Sequence, residues 1–202
     1  METKLLSDHA EDLLEAAELL RNGAVVGMPT ETVYGLAADA RNPEAVRQIF
    51  AAKGRPADNP LIVHIAEMRA LEQVAATVPP LAEKLAERFW PGPLTMILPK
   101  RKEIPEITSG GLDTVGIRMP SHPVARALIQ LSGVPIAAPS ANISGYPSPT
   151  TAQHVMRDMQ GKIAAVVDGG ACSVGVESTV IALEPNGTVR ILRPGFVTKE
   201  ML

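Results

Sequence analysis

The side chains best suited to chemistry lie between positions 28 and 65. They are the hydroxyls of Thr30, Thr32 and Tyr34, the cations Lys53 and Arg55, and His64 within a short apolar run. Hydroxyl, ammonium and guanidinium groups all donate hydrogen bonds to phosphate and carboxylate oxygens. The stretch therefore predicts a site for a small polar molecule that bears phosphate.

The two cations flank Gly54, at the end of a predicted helix over 43–53 that Asn42 caps. Residues two apart do not share a helix face, but Gly54 ends the helix and lets the side chains of Lys53 and Arg55 converge. An ammonium beside a planar guanidinium suits a phosphate chain. The common alternative is a basic helix end that complements the helix dipole. The neighbouring polar residues favour the phosphate interpretation.

Hydrophobic periodicity predicts the elements that position these residues. The predicted strands are 24–28, 61–65, 94–98, 114–119, 134–138, 164–167, and a hairpin of 178–183 with 188–192 across Pro185-Asn186-Gly187. The predicted helices are 8–22 (with Asp8 and Glu11 as a capping box), 43–53, 67–76, 80–89, 123–131 and 151–159, and 100–112 is predicted as a loop. Strands and helices alternate early and a hairpin comes late, which predicts an α/β domain with a mixed sheet.

Polar residues repeatedly stand beside the predicted strand ends. They are Thr30–Tyr34, His64, Thr95, Arg118, Ser140–Asn142 and Ser178–Thr179. Ligands of open α/β sheets bind in the crevice beyond strand ends, so this pattern predicts one shared site. Thr30, Tyr34 and Thr95 are expected to line this site, and the sequence does not assign them a direct contact with the ligand. Taken singly, His64 could be a hydrogen-bonded strand histidine, Arg118 a surface ion pair and Thr32 a strand-face hydroxyl.

Composition excludes several classes of protein. The chain has 202 residues, 46% of them hydrophobic and 20% charged, which fits one globular domain. Its net charge of -3 argues against broad electrostatic binding of nucleic acid. The single cysteine, Cys172, excludes an intramolecular disulfide. There is no membrane-spanning stretch and no signal pattern, so a cytoplasmic enzyme is expected.

Familiar catalytic motifs are missing from the sequence. It contains no GxxxxGK[ST] loop, no GxGxxG after a strand, no HExxH and no GxSxG. No metal-ligating residues are predicted, because the four histidines have no short metal-ligand spacing. Asp168-Gly169-Gly170 could be a metal or phosphate loop, although a plain turn is the commoner explanation.

An ordered set of segments carries a family resemblance. The segments are PTETVYGL, KGRP, NPLIVH, WPGPLT, GIRMP, PSANISG, ESTVI and RPG, between about Ala24 and Gly195. In this order they resemble the YrdC-like threonylcarbamoyl-AMP synthases. The resemblance implies an α/β fold with a YrdC-like twisted mixed sheet and flanking helices around a concave basic cavity. It also implies synthesis of L-threonylcarbamoyl-AMP from L-threonine, bicarbonate or carbon dioxide, and ATP, with release of pyrophosphate.

The resemblance also implies residue roles. Lys53 and Arg55 would be catalytic, as cations on the triphosphate. The implied L-threonine contacts are Thr32, His64, Arg118, the backbone at Ala138, and Ser178. The implied ATP contacts are Lys53, Arg55, Asn59, Thr114, Ser140, Asn142, Ser148 and Arg193. Mg²⁺ would enter with ATP, held mainly by the nucleotide.

The resemblance leaves domain organisation and partners as expectations. Residues 1–202 are expected to form a single YrdC-like catalytic domain, with 196–202 either its end or the start of the linker found in two-domain members. The product would pass to a tRNA threonylcarbamoyl-transferase complex for threonylcarbamoyladenosine formation. Two alternatives stay open: a carbamoyl-adenylate domain like that of hydrogenase maturation proteins, and a double-stranded RNA-binding or ribosome-maturation module with weak RNA binding.

Overall fold

A single ten-stranded mixed sheet forms the centre of the protein in the computed structural model, which describes residues 2–202. The strands are β1 (Lys4–Leu6), β2 (Val26–Met28), β3 (Gly35–Asp39), β4 (Ile62–His64), β5 (Leu94–Pro99), β6 (Thr114–Arg118), β7 (Ile136–Ala137), β8 (Ala165–Val167), β9 (Thr179–Leu183) and β10 (Val189–Arg193). Their order across the sheet is β1-β8-β2-β3-β7-β4-β6-β5-β9-β10. Four pairs are parallel (β1 with β8, β2 with β8, β4 with β6, β5 with β9) and the other five are antiparallel, so the predicted mixed sheet is confirmed.

Helices cover both faces of the sheet. They are α1 (Ala10–Arg21), α2 (Pro43–Lys53), α3 (Pro80–Phe89), α4 (Glu106–Ser109), α5 (Pro123–Ser132) and α6 (Ala152–Met159), with a 3-10 helix at Met68–Gln73. Side chains of a strand point alternately to its two faces. Leu36 of β3 accordingly belongs to the core under α2, α3 and α6, and its neighbour Ala37 belongs to the core under α1 and α5.

Helix α2 forms as the sequence predicts, and its end places the two cations. The Asn42 side chain accepts hydrogen bonds from the backbone N–H groups of Glu44 and Ala45, at 3.0 and 3.2 Å. Gly54 ends the helix in the left-handed conformation, with φ at 66°. A residue with a Cβ adopts that conformation at a cost, which explains why glycine stands here.

Three predictions about helices were wrong. Asp8 and Glu11 do not form the predicted capping box, because helix α1 begins one residue later, after His9, and its N-cap makes no side-chain hydrogen bond. The predicted helix over 67–76 is only the short 3-10 helix, since a β-bridge between Ala75 and Lys100 ends it. The predicted loop over 100–112 contains the single turn α4.

The sequence did not predict strands β1 and β3. The β3 sequence Gly-Leu-Ala-Ala-Asp contains no β-branched or aromatic residue, so its propensity gives no strand signal. Its neighbours β2 and β7 supply the hydrogen bonds that make it a strand. The other predicted strands are confirmed, most of them a residue or two shorter, and the hairpin is confirmed as β9 and β10.

The last residues pack against the sheet. Val197 is buried, and its carbonyl accepts a hydrogen bond of 2.7 Å from the Thr179 hydroxyl. Just before it, Gly195 lies so close to the 177–179 backbone that a Cβ would meet the Glu177 carbonyl oxygen at 2.5 Å. That close approach explains the glycine of the RPG segment. The single-domain assignment itself stays a prediction. Within residues 2–202, no helix has the length and apolar character needed to cross a membrane.

Candidate active site

A cavity of about 350 Å³ runs along strand β4, over the sheet face to which Ile62 and His64 both point. Most of the site residues expected from the sequence line it. They are Thr32, Arg55, Asn59, His64, Arg118, Ala138, Ser140, Ser178 and Arg193. Lys53, Thr114, Asn142 and Ser148 were also expected but lie outside the lining. The cavity thus extends along the strand as well as beyond its end.

The strand pairing explains why distant segments meet here. His64 at the end of β4 lies beside Arg118 at the end of the parallel strand β6. Strand β5 is antiparallel to β6 and therefore begins near Arg118. Strand β9 is parallel to β5, and Thr179 at its start pairs with Leu94. Ser178, directly before β9, consequently reaches the same edge of the sheet.

The opposite wall comes from the segment after β7. The Ala138 N–H donates to the Ile62 carbonyl at 3.1 Å, which keeps this segment along β4. An isolated bridge between Gly35 and Ser140 then ties it to β3. Because β7 runs antiparallel to β4, Ser140 lies toward the β4 end that Asn59 precedes. The cavity therefore has two ends, one at Arg118 and His64 and one at Asn59 and Ser140.

The first end contains a buried ion pair, here called the inner pair, between Glu31 and Arg118. Arg118 Nη2 lies 2.5 Å from Glu31 Oε1, and the two side chains are only 7% and 5% exposed for glutamate and arginine. Arg118 also donates from Nη1 to the Thr32 hydroxyl at 2.9 Å and from Nε to the Gly92 carbonyl at 3.3 Å. Burial lowers the pKa of Arg118 and the charge of Glu31 opposes that shift. Arg118 is a buried cation here, so the expected alternative of a surface ion pair is wrong.

His64 is a neutral imidazole beside this pair. Burial, helped by the charge of Arg118, lowers the pKa of His64 to about 3. Its Nδ1 lies 3.2 Å from the Ile62 carbonyl oxygen, which fits a protonated Nδ1 in the neutral ring. The ring thus combines a hydrogen bond within its own strand with a position in the cavity lining.

A second ion pair, here called the outer pair, joins Glu177 to Arg193. Arg193 Nη1 lies 2.6 Å from Glu177 Oε2, with the side chains 38% and 36% exposed for arginine and glutamate. The Ser148 hydroxyl donates to Glu177 Oε1 at 2.9 Å. Arg193 also donates to the Ser178 carbonyl and hydroxyl, at 2.9 and 3.1 Å from Nη2. Glu177 therefore holds two of the residues expected to contact ATP.

Lys53 is buried and bonded to the chain itself. Its ammonium donates to the Ser140 carbonyl and, at 2.8 Å, to the Asn142 carbonyl, while the Ser144 N–H donates back to the Lys53 carbonyl. Burial, and next the charge of Arg55, lowers the pKa of Lys53 to about 8. Lys53 thus fastens the 140–144 loop to the end of α2.

Arg55 has the more open arrangement of the two cations. Its guanidinium lies over the Phe50 ring, 5.3 Å from the ring centre, and lines the cavity. Among residues 2–202 its Nε has no hydrogen-bond partner although the atom is buried. A planar cation held by an aromatic ring, with a donor still to satisfy, suits an anionic ligand.

Two expected ATP contacts lie next to the cavity. Asn142 is buried; its amide nitrogen donates to the carbonyls of Ile143 and Tyr146, at 2.9 and 2.8 Å. Its Oδ1 is buried without a partner in the part of the chain that the structure describes. Thr114 begins β6 opposite Pro99 and is half-buried.

Thr30 and Thr95 are fully buried supports of the site and do not line it. The Thr30 hydroxyl lies 2.9 Å from that of Thr32, and the Thr95 hydroxyl lies 2.8 Å from that of Ser178. Each thus contacts a residue that does line the cavity, which corrects the expectation that both would line it themselves. Sequence position alone does not distinguish a lining hydroxyl from one behind it.

Tyr34 also lies behind the cavity wall. Its hydroxyl donates to the Gly170 carbonyl at 2.8 Å and accepts from the Gly169 N–H at 3.1 Å. Burial raises the pKa of Tyr34 to about 12. The Asp168 carboxylate accepts from the Gly170 N–H at 2.9 Å, so the Asp168 side chain closes an Asx turn over this segment.

Sequence reasoning missed both glutamates of the site. Glu31 stands between two threonines expected in the site, and Glu177 stands directly before Ser178. Glu177 follows a largely exposed loop and gave no signal. For Glu31 the available signal was an acidic residue within a segment otherwise expected to be buried. Such a carboxylate is seldom buried without a partner.

The cavity contains three arginines and one glutamate, and its expected basic character stays a prediction. Within residues 2–202 no group of three or more histidine, cysteine, aspartate or glutamate residues is placed to hold a metal ion. Cys172 is half-buried, and burial raises its pKa to about 11, which makes it a weak nucleophile. The arrangement therefore favours binding and orienting anions over covalent catalysis.

Comparison with known proteins gives a consistent result. The model of the Sua5/YciO/YrdC family, described as "Telomere recombination", matches residues 18–195. The threonylcarbamoyl-AMP synthase of Bacillus subtilis (strain 168) is 54% identical over 202 residues, which are 99% of this chain and 58% of that protein. The threonylcarbamoyl-AMP synthase of Pyrococcus abyssi is 59% identical over 180 residues, 89% of this chain and 53% of that protein. The chain spans a little over half the length of these two relatives.

A solved structure matches the fold. The crystal structure of P. abyssi Sua5 complexed with L-threonine superimposes with a TM-score of 0.94 at 53% sequence identity. The match covers 99% of this chain and 59% of that one. The predicted twisted mixed sheet with flanking helices is thereby confirmed.

Proposed function

Because this chain belongs to the Sua5/YciO/YrdC family, we propose that it makes L-threonylcarbamoyl-AMP from L-threonine, bicarbonate or carbon dioxide, and ATP, with release of pyrophosphate. The observation that supports this most is the 54–59% identity to two threonylcarbamoyl-AMP synthases. The fold is also that of a protein crystallised with L-threonine. The chemistry of the cavity fits the same reaction.

In this proposal, threonine binds at the inner pair. A guanidinium carries five N–H groups, and three of those of Arg118 are engaged with Gly92, Thr32 and Glu31. One N–H remains on each terminal nitrogen, the number that a carboxylate accepts in a two-pronged hydrogen bond. The neutral His64 and the Ser178 hydroxyl line the same cavity and would contact the amino and hydroxyl groups. A site with polar partners for the hydroxyl would reject valine.

ATP would occupy the end that contains Arg55, Asn59 and Ser140. The Nε of Arg55 still has an N–H to donate to phosphate. Within residues 2–202, the buried Oδ1 of Asn142 accepts no hydrogen bond. Lys53 would reach phosphate by exchanging one of its two carbonyl partners. Arg193 would reach phosphate by giving up its ion pair with Glu177.

The reaction needs no protein nucleophile. The threonine amine attacks the carbon of carbon dioxide and loses a proton, which forms an N–C bond and a carbamate. A carbamate oxygen then attacks the α-phosphorus of ATP, and the bond to the bridging oxygen of the departing pyrophosphate breaks. The protein contributes position and charge stabilisation, as is usual for transfers at phosphorus.

Mg²⁺ would arrive with the triphosphate. The described part of the cavity offers one carboxylate, Glu177, which is already bonded to Arg193 and Ser148. That donor set does not fit a metal site built by the protein alone.

The product would be handed to a tRNA threonylcarbamoyl-transferase complex, since an acyl adenylate is an activated donor that hydrolyses if released for long. ATP, threonine and tRNA occur together in the cytoplasm, and we propose that compartment for the protein.

The direct test is pyrophosphate release from ATP and bicarbonate, with and without L-threonine, and with L-valine and L-serine as controls. We expect release that depends on threonine and is lost in Lys53→Ala and Arg118→Ala. The variant Arg190→Ala, in an ion pair with Glu184 outside the cavity, should keep the wild-type rate. Neither release nor binding of the substrates, together with salt-sensitive binding of duplex RNA, would replace the enzyme with the RNA-binding module.

A further inference from the structure

Glu31 has no part in the proposed chemistry, yet it is one of the most tightly held side chains of the site. The side chain is 7% exposed, and both carboxylate oxygens have partners. Oε1 accepts from Arg118 at 2.5 Å, and Oε2 accepts from the Ser121 N–H at 3.1 Å. Its backbone carbonyl accepts from the Val174 N–H at 2.8 Å. Arg118 and Ser121 thus hold the carboxylate and Val174 holds the backbone, so the Glu31 side chain has one defined position.

The position of the Glu31 carboxylate determines the orientation of the Arg118 guanidinium. The guanidinium is planar, so bonds to Glu31, Thr32 and Gly92 on three different nitrogens fix both its plane and its rotation. The two N–H groups left over are then fixed as well. Without Glu31, one of these three restraints is lost and a third N–H becomes available.

Charge also differs between the two ends of the cavity. At the inner end, Arg118 is balanced by Glu31, and His64 is neutral. Toward the other end lie Lys53 and Arg55, neither of which forms an ion pair within residues 2–202, while Arg193 beside Ser178 is paired with Glu177. A polyphosphate is attracted by excess positive charge, whereas an amino-acid carboxylate is satisfied by two fixed hydrogen bonds.

We infer that Glu31 reserves the inner end for the amino acid: it orients Arg118 for a carboxylate and cancels the charge that would otherwise attract phosphate. This inference rests on the proposed function and adds a positioning and selectivity residue to it. Glu31 acts through Arg118 and does not touch the reacting atoms.

Two variants separate the two effects. Glu31→Gln keeps the size of the side chain and one acceptor oxygen but removes the charge. Glu31→Asp keeps the charge but shortens the side chain by one methylene, which moves the carboxylate away from Arg118. We expect both to raise the KM for threonine, by about tenfold for the loss of an oriented charge-assisted pair, with the KM for ATP within about twofold. We expect only Glu31→Gln to make inorganic pyrophosphate a competitive inhibitor against threonine, in an assay that follows formation of the adenylate because pyrophosphate is itself a product.

The control is Glu184→Gln, which removes the carboxylate of a 2.8 Å ion pair with Arg190 outside the cavity. It should leave both KM values and the inhibition pattern unchanged. An equal rise in both KM values for Glu31→Gln would assign Glu31 a merely structural role and overturn the inference. An unchanged KM for threonine would overturn it too.

A binding measurement keeps this test separate from the proposed function. Titration calorimetry with L-threonine alone, and with pyrophosphate alone, needs no turnover. If the wild type binds threonine without producing pyrophosphate, the proposed reaction fails. The inference then still requires Glu31→Gln to lose threonine affinity and to gain a second pyrophosphate site. A wild type that does not bind threonine would overturn both.

Discussion

Two arginines of one cavity are each paired with a glutamate, but one pair is buried and the other is partly exposed to solvent. The inner pair, Glu31 with Arg118, has an N–O distance of 2.5 Å and side chains 7% and 5% exposed. The outer pair, Glu177 with Arg193, has nearly the same distance, 2.6 Å, but side chains 36% and 38% exposed. The direct contact is the same chemistry in both, so the surroundings must account for any difference in behaviour.

Water is the cause of the difference that we expect. At the outer pair, solvent screens the charges and can replace either partner, so the pair contributes little to stability and can open when a substrate anion arrives. At the inner pair, both charges have lost most of their hydration, and each depends on the other. The inner pair therefore suits a fixed receptor for one group, and the outer pair suits exchange.

The largest expected effect comes from removing one arginine of each pair. Arg118→Met leaves Glu31 buried and uncompensated, and we expect the free energy of unfolding to fall by about 3–5 kcal/mol. Arg193→Met leaves a glutamate that water can reach, and we expect a fall of less than about 1 kcal/mol. Urea denaturation at pH 7 measures both, with Arg190→Met as an exposed control outside the cavity. Equal losses for the two cavity variants would remove the distinction.

A second effect concerns pH and the neutral His64 at the inner end. Burial lowers its pKa to about 3, whereas the unfolded chain has an ordinary histidine with a pKa of about 6.5. Between these values the unfolded state binds the extra proton, so stability falls as pH falls. From pH 7 to pH 5 we expect this group to cost the wild type about 2 kcal/mol.

The variant His64→Gln isolates that contribution, because glutamine does not titrate. Comparing urea denaturation of both proteins at pH 7 and pH 5 cancels the titration of the carboxylates that they share. A wild type whose stability falls no more than that of His64→Gln would mean that His64 is accessible to protons in the folded state. The inner end would then be hydrated like the outer one.

The sequence predicted most of the inner end because its residues are marked by strand ends. His64 and Arg118 each end a strand with a clear apolar pattern, and the two strands are parallel neighbours. Both ends of α2 were equally clear from the sequence, because Asn42 and Gly54 each act on the helix turn next to them. Local chemistry of this kind can be read from the sequence.

Partners that are distant in sequence could not be read in the same way. Glu31 and Arg118 are 87 residues apart, and the Lys53 contact with Ser140 spans the same separation. No propensity or spacing relates such positions, and only the order of strands in the sheet brings them together. Strand β3 escaped prediction for the same reason, because its neighbours determine its conformation. The sequence thus indicated most of the residues that line the cavity, but neither the two glutamates nor which side chains bind one another.

A smaller effect should follow from removing the acid of the outer pair. Glu177→Gln frees Arg193 and Ser148 from a charged partner and removes a negative charge from the predicted phosphate end. We expect the KM for ATP to fall by about threefold, consistent with the modest worth of an exposed pair, and the KM for threonine to stay unchanged. Steady-state pyrophosphate release measures both constants. A higher KM for ATP would mean that Glu177 supports ATP binding by orienting Arg193. The outer pair would then hold its arginine in place, as the inner pair does.

The smallest expected effect uses salt to compare the two ends without changing the inner pair. The screening length is about 10 Å at 0.1 M salt and about 3 Å at 1 M, so salt weakens exposed charge interactions and hardly alters buried ones. Between 0.1 and 0.5 M potassium chloride we expect the KM for ATP to rise about twofold and the KM for threonine to change by less than that. Arg193→Met should show a shallower salt dependence for ATP, because the exposed cation that salt screens is gone. If the KM for threonine were instead the more salt-sensitive constant, threonine would bind at the solvent-exposed arginine, and the assignment of the two substrates to the two pairs would have to be exchanged.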